Sequence, residues 1–236
     1  MSNTQKREPF LETDPEAINN TLDVVDIWHT IQGEGPLSGT PSVFVRLAGC
    51  NLQCPHCDTD YTSDRRKMSA SELAVRCSRL RSLFPSTNTL VITGGEPCRQ
   101  DIAPFCKILV DDYWDVQIET NGTLWRELPE DVIVVCCPKT PKIHPNWENE
   151  NRIDAYKYVI EHGKVSDEDG LPTSCLGMAH PPARPPKNYP REQVYCTPLD
   201  VKSRIANEKH NTAMANSCMA FGYTAQLQIH KYLDLK

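Results

Sequence analysis

The stretch LAGCNLQCPHCDTDYT, residues 47–62, carries three cysteines in a C-x3-C-x2-C pattern, at Cys50, Cys54 and Cys57. Thiolates this close together can bind three corners of an iron–sulfur cube. Electron-carrying clusters are closed by four cysteines, and structural zinc sites by four Cys or His ligands. No fourth cysteine or C-x2-C pair completes the set nearby. The pattern therefore predicts a cluster with one iron left open for a ligand that is not protein.

Length and charge limit the class of protein. The 236 residues suit one domain, or one domain with an appendage, and can bury a sizeable core. A net charge of −6 argues against a general binder of nucleic-acid backbones. No apolar stretch approaches a membrane span, and the polar N-terminus lacks a signal-peptide core. We therefore expect neither nucleic-acid nor membrane partners.

The remaining eight cysteines are irregularly spaced. An odd total of 11 does not suggest a disulfide framework, so these eight are expected to be small buried hydrophobic side chains. Cys136 and Cys137 are the one pair that adjoins a candidate site. Free thiols and an oxygen-sensitive cluster both predict a reducing cytoplasm.

Strand and helix patterns alternate along the chain. Runs rich in β-branched and apolar residues predict strands at 24–28, 42–47, 90–93, 116–119, 132–136, 156–160 and 194–197. Helices are predicted at 69–84, 102–112 and 201–221. The first of these helices opens on a capping box formed by Ser69 and Glu72.

Two segments stand apart from this alternation. Residues 1–22 are polar and aperiodic, which predicts a flexible arm before a domain that spans 23–236. Residues 165–190 contain many prolines, which exclude a helix or a central strand. We therefore expect a proline-rich insertion there.

Alternating strands and helices predict parallel βαβ units. A full eight-stranded barrel usually needs about 250 residues, so the expected fold is α/β, an open partial (β/α) barrel of about six strands. In such folds the site lies at the C-terminal ends of the strands. Five segments follow predicted strands and are expected to converge on one mouth: TIQGEG, the cysteine loop (residues 48–63), TGGEP, ETNG and CCPK.

The chain resembles the 7-carboxy-7-deazaguanine synthase family of the radical S-adenosylmethionine (SAM) superfamily. The similarity runs from about Val24 to the C-terminus and is most specific over HTIQGEGPLSGTPSVFVRLAGCNLQCPHCDT, residues 29–59. It implies a radical SAM core, in which the open iron of a 4Fe–4S cluster chelates SAM. The 5′-deoxyadenosyl radical would abstract hydrogen from C6 of 6-carboxy-5,6,7,8-tetrahydropterin. Ring contraction and loss of ammonia would give 7-carboxy-7-deazaguanine, with SAM regenerated.

The resemblance also implies the cofactor contacts. Cys50, Cys54 and Cys57 would hold the cluster, and the Thr59 hydroxyl would bind Mg²⁺ together with the substrate carboxylate, as suits a hard cation. The SAM contacts would be His56, Cys57, Asp58, Gly94, Gly95, Glu96, Glu119, Asn121, Cys137, Pro138 and Lys139. Glu96 would accept a hydrogen bond from the SAM ammonium. Cys137 stands where the family has serine, and a thiol is the weaker donor.

The substrate contacts implied by the resemblance are Ile31, Gln32, Gly33, Glu34, Arg46, Thr93, Gln228, His230 and Lys236, the last through the C-terminal carboxylate. The carboxamide of Gln32 and the carboxylate of Glu34 can pair with a guanine-like edge. Arg46 lies in an otherwise apolar strand, where an unpaired guanidinium would be costly. Its fork fits a carboxylate or a pterin oxygen.

The residues alone leave alternatives open. His56 could simply pack the loop, and Thr59 could cap the next turn. An activase that installs a glycyl radical on a partner protein uses the same cysteine spacing. It needs an open mouth for a peptide, however, and has no use for the QGEG and CDT motifs. A cluster- or zinc-bearing regulatory module that binds nucleic acid conflicts with the acidic charge. The family further implies an electron donor such as flavodoxin, and a homodimer.

Overall fold

The computed structural model describes residues 20–235, which contain one nine-stranded sheet. Its strands are β1 (Thr21–Ile31), β2 (Pro41–Leu47), β3 (Arg66–Ser69), β4 (Thr89–Gly94), β5 (Asp115–Thr120), β6 (Ile133–Cys136), β7 (Ala155–Ile160), β8 (Val194–Pro198) and β9 (Thr224–Ala225). The helices are α1 (Ala70–Leu83), α2 (Ala103–Asp111), α3 (Pro145–Asn149), α4 (Arg204–Phe221) and α5 (Ile229–Tyr232). No helix within the described range is long and apolar enough to cross a membrane.

The sheet order is β3-β1-β2-β4-β5-β6-β7-β8-β9, and every pairing from β2 to β9 is parallel. The predicted α/β partial barrel is confirmed, with more strands than the six expected. Two of the additional strands are short: β3 has four residues and β9 has two. Runs of that length are too short to show a periodic pattern in the sequence.

The first strand runs against the others. β1 pairs antiparallel with β2, so that Thr30 lies opposite Ser42 at the edge where β2 begins. Only residues 32–40, the QGEG loop, connect the two strands, and a parallel crossover needs about a dozen residues or more. The expectation of parallel strands throughout is therefore wrong for β1, and the QGEG loop starts at the opposite end of the sheet from the other four loops.

The helices begin close to where the sequence predicts. The Ser69 hydroxyl accepts a hydrogen bond from the backbone N–H of Glu72 at 3.1 Å, which confirms the predicted cap of α1. α4 begins at Arg204 rather than at residue 201, because Ser203 accepts from the N–H of Ala206 and caps it. Both caps satisfy backbone donors that have no partner within the helix.

The predicted flexible arm includes two residues that belong to the sheet. β1 begins at Thr21 and Leu22 is fully buried, so the predicted arm does not extend to residue 22. Leu22 pairs with Met68 of β3, a strand that the sequence did not predict. The rest of the arm, residues 1–19, and Lys236 lie outside the described residues. Residues 165–190 contain no helix and only an isolated bridge between Val165 and Pro172.

Candidate functional site

A cavity of about 280 Å³ lies on the inner side of the sheet. The alternation of β2 explains how it forms: Val43, Val45 and Leu47 are fully buried in the core, whereas Phe44 and Arg46 line the cavity. Most predicted site residues also line it: Ile31, Gln32, Glu34, Arg46, Cys50, Cys54, His56, Cys57, Asp58, Thr59, Thr93, Gly94, Gly95, Glu119, Asn121, Cys137, Lys139, Gln228 and His230. The predicted convergence on one cavity is thus confirmed for these residues.

The cysteine loop presents three free thiols to this cavity. Cys50 and Cys54 are half-buried and Cys57 is exposed, whereas the other eight cysteines are buried, as expected. Burial raises the pKa of the Cys50 and Cys54 thiols, and the neighbouring thiols raise each pKa further. Within residues 20–235, no three His, Cys, Asp or Glu side chains converge as they would on a single ion. An iron–sulfur cube instead binds each thiolate to a different iron, and this donor set fits such a cluster.

Glycines allow the turn after β4 to touch the cysteine loop. A Cβ on Gly95 would lie 2.2 Å from the carbonyl oxygen of Gly49 and 2.8 Å from Cβ of Cys50. Gly94 has φ of +149°, and its Cβ would lie 2.2 Å from the carbonyl oxygen of Leu47. Any larger residue would force the turn and the cluster loop apart. The two glycines thus bring the backbone to the cavity rim.

Glu96, an expected SAM contact, is hydrogen-bonded to the protein. It is fully buried and does not line the cavity. Its Oε1 accepts from the Cys98 N–H at 2.9 Å and the Thr120 hydroxyl at 2.7 Å, and its Oε2 accepts from the Asn121 N–H at 2.7 Å. Burial raises the pKa of Glu96, and these three donors oppose the rise. The carboxylate thus joins the turn after β4 to the segment at the end of β5.

Gly33 and Pro138 also lie outside the cavity lining. A Cβ on Gly33 would come within 2.1 Å of His230 Nδ1, so this glycine makes room for a residue of α5. Pro138 separates Cys137 and Lys139, which do line the cavity. The Lys139 ammonium donates to the Cys137 carbonyl at 2.9 Å, which fixes the direction of both.

A buried ring of four polar side chains crosses the cavity. Lys157 Nζ lies 3.0 Å from Glu34 Oε2 and 3.0 Å from Glu119 Oε2. Gln32 Nε2 donates to Glu119 Oε1 at 3.1 Å, and Gln32 Oε1 accepts from the Glu34 N–H at 3.3 Å. Burial raises the pKa of Glu34, but Lys157, with smaller contributions from His230 and Lys231, lowers it overall. Lys157 was not among the predicted site residues, although a lysine in the strand AYKYVI gives the same signal as Arg46 does in its strand.

Arg46 combines an aromatic contact with an unsatisfied donor. Its guanidinium carbon lies 4.9 Å from the ring centroid of Trp28, which also lines the cavity and was missed by the sequence analysis. Thr93 is its neighbour on β4. The Arg46 Nε is buried and has no hydrogen-bond partner among the described residues. Buried donors are nearly always paired, so this geometry fits a bound acceptor.

The C-terminal helix α5 ties two rim segments together. Lys231 Nζ lies 2.9 Å from Asp200 Oδ2 and 3.6 Å from Asp58 Oδ2. Asp58 also accepts from the Thr59 hydroxyl at 3.2 Å. Residues 197–200, which are the last two residues of β8 and the two after it, line the cavity as well. This segment gave no recognisable motif, although its position at the C-terminal end of a parallel strand could have marked it.

The proline-rich insertion forms part of the site. The backbone N–H of His56 donates to the Leu176 carbonyl at 3.1 Å, and Leu176 lines the cavity. A Cβ on Gly177 would lie 3.0 Å from Cβ of Pro55. The insertion therefore packs directly against the cysteine loop. Because the contact is made through backbone atoms, no side-chain pattern could have predicted it.

Comparisons with known proteins agree on the family. Residues 44–134 match the model described as the Radical SAM superfamily. The 7-carboxy-7-deazaguanine synthase of Rhodospirillum rubrum is 42% identical and aligns over 97% of this chain and 98% of its own length. The enzyme of that name from Rickettsia prowazekii is 36% identical over 91% of this chain and 89% of its own.

A solved structure supports the fold. The crystal structure of QueE from Escherichia coli superposes with a TM-score of 0.64, covering 88% of this chain and 94% of that one at 20% identity. At that identity the likeness concerns the fold, a radical SAM core. Taken with the identity to the two full-length relatives, it shows that the chain belongs to the 7-carboxy-7-deazaguanine synthase family of radical SAM enzymes.

Proposed function

We propose that the chain is a 7-carboxy-7-deazaguanine synthase, a lyase that converts 6-carboxy-5,6,7,8-tetrahydropterin into 7-carboxy-7-deazaguanine and ammonia. One observation carries the proposal. The three-cysteine loop opens into the same cavity as Arg46, whose buried Nε has no partner among the described residues. A radical-generating group and an anion-binding fork on one cavity suit a small carboxylated substrate.

Cys50, Cys54 and Cys57 would hold a 4Fe–4S cluster, and SAM would bind at the open iron. When bound, this pair supplies a 5′-deoxyadenosyl radical that removes a hydrogen atom and later returns it, which leaves SAM unconsumed. The protein contributes positioning. The backbone at Gly94 and Gly95 can approach a ligand closely, since neither residue has a side chain in the way.

The substrate would occupy the side of the cavity formed by β1, β2 and the QGEG loop. Arg46 presents its fork to the carboxylate or a ring oxygen, and stacking on Trp28 limits its freedom. Gln32 and Glu34 offer an amide and a carboxylate to the guanine-like edge. His230 adds a polar group from α5 beside Gly33.

We assign Mg²⁺ to the Thr59 hydroxyl and the substrate carboxylate. Thr59 lines the cavity next to the cluster-loop carboxylate of Asp58, and oxygen donors suit this cation. Cys57 is exposed, so an electron donor such as flavodoxin would approach the cluster at this residue. A homodimer and a cytoplasmic location follow from the family resemblance and from the oxygen sensitivity of such clusters.

Anaerobic reconstitution with iron and sulfide tests the proposal. We expect cluster absorbance, SAM binding, and release of 7-carboxy-7-deazaguanine without net loss of SAM. Deuterium placed at C6 of the pterin should enter 5′-deoxyadenosine and return to the product. Stoichiometric consumption of SAM, or radical transfer to a protein glycine with no turnover of the pterin, would overturn the proposal.

The Arg46→Ala variant tests the substrate side separately. Removing the guanidinium leaves a partner oxygen unpaired in a desolvated site, which costs about 1–3 kcal/mol or more. We expect a loss of about tenfold or more in kcat/KM, with cluster content and SAM affinity retained. Unchanged kcat/KM would exclude Arg46 as a substrate contact.

A further inference from the structure

Lys157 lies between carboxylates that come from opposite edges of the sheet. Glu34 belongs to the QGEG loop, which connects the end of β1 to the start of β2, and Glu119 lies near the C-terminal end of β5. The single ammonium is 3.0 Å from each, and Lys157 is only 7% exposed. Gln32 closes the ring from Glu119 back to the Glu34 backbone. The ring thus joins the two sides of the cavity physically.

Electrostatics gives this lysine a specific task. Two carboxylates that share a desolvated site repel each other, and one of them normally takes up a proton. An ammonium between them removes that repulsion, whereas losing one member of a buried ion group leaves an uncompensated charge. Lys157, at 3.0 Å from each carboxylate, is placed to offset this repulsion.

We infer that Lys157 is a positioning residue that keeps Glu34 and Glu119 ionised and aligned, and so couples binding on the pterin side to binding on the SAM side. Which ligand lies on which side rests on the proposed function. A ligand that fixes Glu119 also fixes Lys157, and through it Glu34. The second ligand then meets a carboxylate that is already oriented.

Other charged groups around the ring do not replace Lys157. Burial raises the pKa of Glu34; Lys157 provides the largest opposing effect, and His230 and Lys231 add smaller ones. Burial lowers the pKa of Lys157, but Cys137, Glu119 and Glu34 together raise it well above its usual range. Lys139 lies nearby but bonds the Cys137 carbonyl instead of either carboxylate.

The first test uses the protein without its cofactors. In Lys157→Met the carboxylate pair should share a proton, so the folded-state pKa of one carboxyl rises. A raised carboxyl pKa contributes stability that is lost as pH rises through it. Between about pH 5 and pH 8 the Tm of Lys157→Met should therefore fall with pH relative to that of Lys187→Met, an exposed-lysine control. In the wild type the lowered pKa of Glu34 has the opposite sign, with stability lost only as pH falls.

The double variant Glu34→Gln/Lys157→Met removes one of the competing charges and should abolish the new pH dependence. The infrared band of a protonated carboxyl, measured as a difference from the wild type, should appear in the single variant at neutral pH and vanish in the double variant. Equal pH dependence of Tm in all variants, with no such band, would overturn the inference.

The second test measures coupling by calorimetry on the reconstituted protein with its cluster oxidised. In the wild type, saturating SAM should tighten binding of 6-carboxy-5,6,7,8-tetrahydropterin by about fivefold or more, within the usual range of coupling between sites. Glu34→Gln keeps a neutral Lys157–Glu119 pair and should fold even if Lys157→Met does not. It should bind SAM as the wild type does but lose the coupling.

Coupling between SAM and pterin binding that survives in both Glu34→Gln and Lys157→Met would overturn the inference while leaving the proposed function intact. A wild type that binds SAM but neither binds nor converts the pterin would instead reject the proposed function. The Tm and infrared results of the first test need no pterin, so they would still stand on their own.

Discussion

The cysteine loop and the turn at residues 94–96 meet at the rim of the same cavity, but the protein supports them in different ways. In the turn, Glu96 is fully buried and its carboxylate accepts three hydrogen bonds from the protein. In the loop, Cys57 and Asp58 are exposed and Cys54 is half-buried. The Gly49 N–H donates to the Tyr61 carbonyl and so joins the two ends of the loop, and the Glu96 N–H donates to the Gly49 carbonyl from the turn. The middle of the loop is bonded to the insertion, where the His56 N–H donates to the Leu176 carbonyl.

This difference separates what the fold builds from what a cofactor must complete. A turn with all its buried groups paired is rigid before any ligand arrives. Among the described residues, the hydrogen bonds of the loop thiols stay within the loop: the Leu52 N–H donates to Cys50 Sγ, and Cys57 Sγ donates to the Thr59 carbonyl. Metal would supply the loop with further bonds, since binding and local folding are coupled in such sites. Substitutions in the two segments should therefore fail in different ways.

The largest effect is expected for the thiols. Cys50→Ala, Cys54→Ala and Cys57→Ala should each abolish cluster absorbance and turnover, yet change the Tm of the cofactor-free protein little, because none of the three is fully buried. Cys106→Ala is the control. It should keep cluster and turnover but lower the Tm, because it leaves a void in a fully buried position. A cluster that still cleaves SAM in any of these three cysteine variants would contradict their assignment as cluster ligands.

For Glu96 we expect a loss of stability in the cofactor-free protein. Glu96→Ala leaves three buried donors without a partner, and each costs about 1–3 kcal/mol, so urea unfolding of the cofactor-free protein should show a loss of about 3 kcal/mol or more. Glu96→Gln, which keeps one acceptor oxygen, should lose less. Equal stability of Glu96→Ala and the wild type would show that the hydrogen bonds of Glu96 do not stabilise the turn at residues 94–96.

The sequence predicted the rim residues well for a topological reason. Parallel strands end at one edge, so the cysteine loop and the motifs containing Gly94, Asn121 and Lys139 had to meet there. The QGEG loop is the exception. It connects β1 to β2 in nine residues (32–40), which is too short for the crossover that two parallel strands require. The length of this loop alone therefore predicts an antiparallel pair.

Other parts of the site required the three-dimensional structure. The family resemblance predicts Glu96 as a SAM contact, and only the structure shows that this side chain is fully buried and accepts three hydrogen bonds from the protein. Lys157 could have been predicted, because a charged residue in a buried strand indicates a functional or paired group. It was not predicted because it belongs to no recognised motif. Leu176 and Gly177 carried no signal, since a backbone carbonyl and a missing Cβ leave no trace in side-chain patterns.

A smaller effect should come from the insertion that braces the cysteine loop from outside. Gly177→Val strains a residue at φ of +79° and pushes a Cβ toward Pro55 at 3.0 Å. Gly163→Val is a matched control, because Gly163 has φ of +79° as well and nothing within 4 Å. Both should lose about 1–2 kcal/mol of stability from backbone strain, but only Gly177→Val should weaken SAM binding, by roughly tenfold. Equal SAM affinities would show that the insertion does not position the loop.

The smallest effect is expected at Thr59, where the cysteine loop would meet the metal instead of the cluster. Thr59→Ala removes one oxygen donor from a cation that the substrate carboxylate would still hold. Turnover and its response to Mg²⁺ should fall a few-fold, while cluster content and SAM affinity stay unchanged. Thr62→Ala is the control, because its hydroxyl bonds Asp60 on the same loop. An unaltered Mg²⁺ titration in Thr59→Ala would place the metal elsewhere. A fall in SAM affinity would mean instead that Thr59 supports the loop itself, so that this end of it is built by the protein as the residue 94–96 turn is.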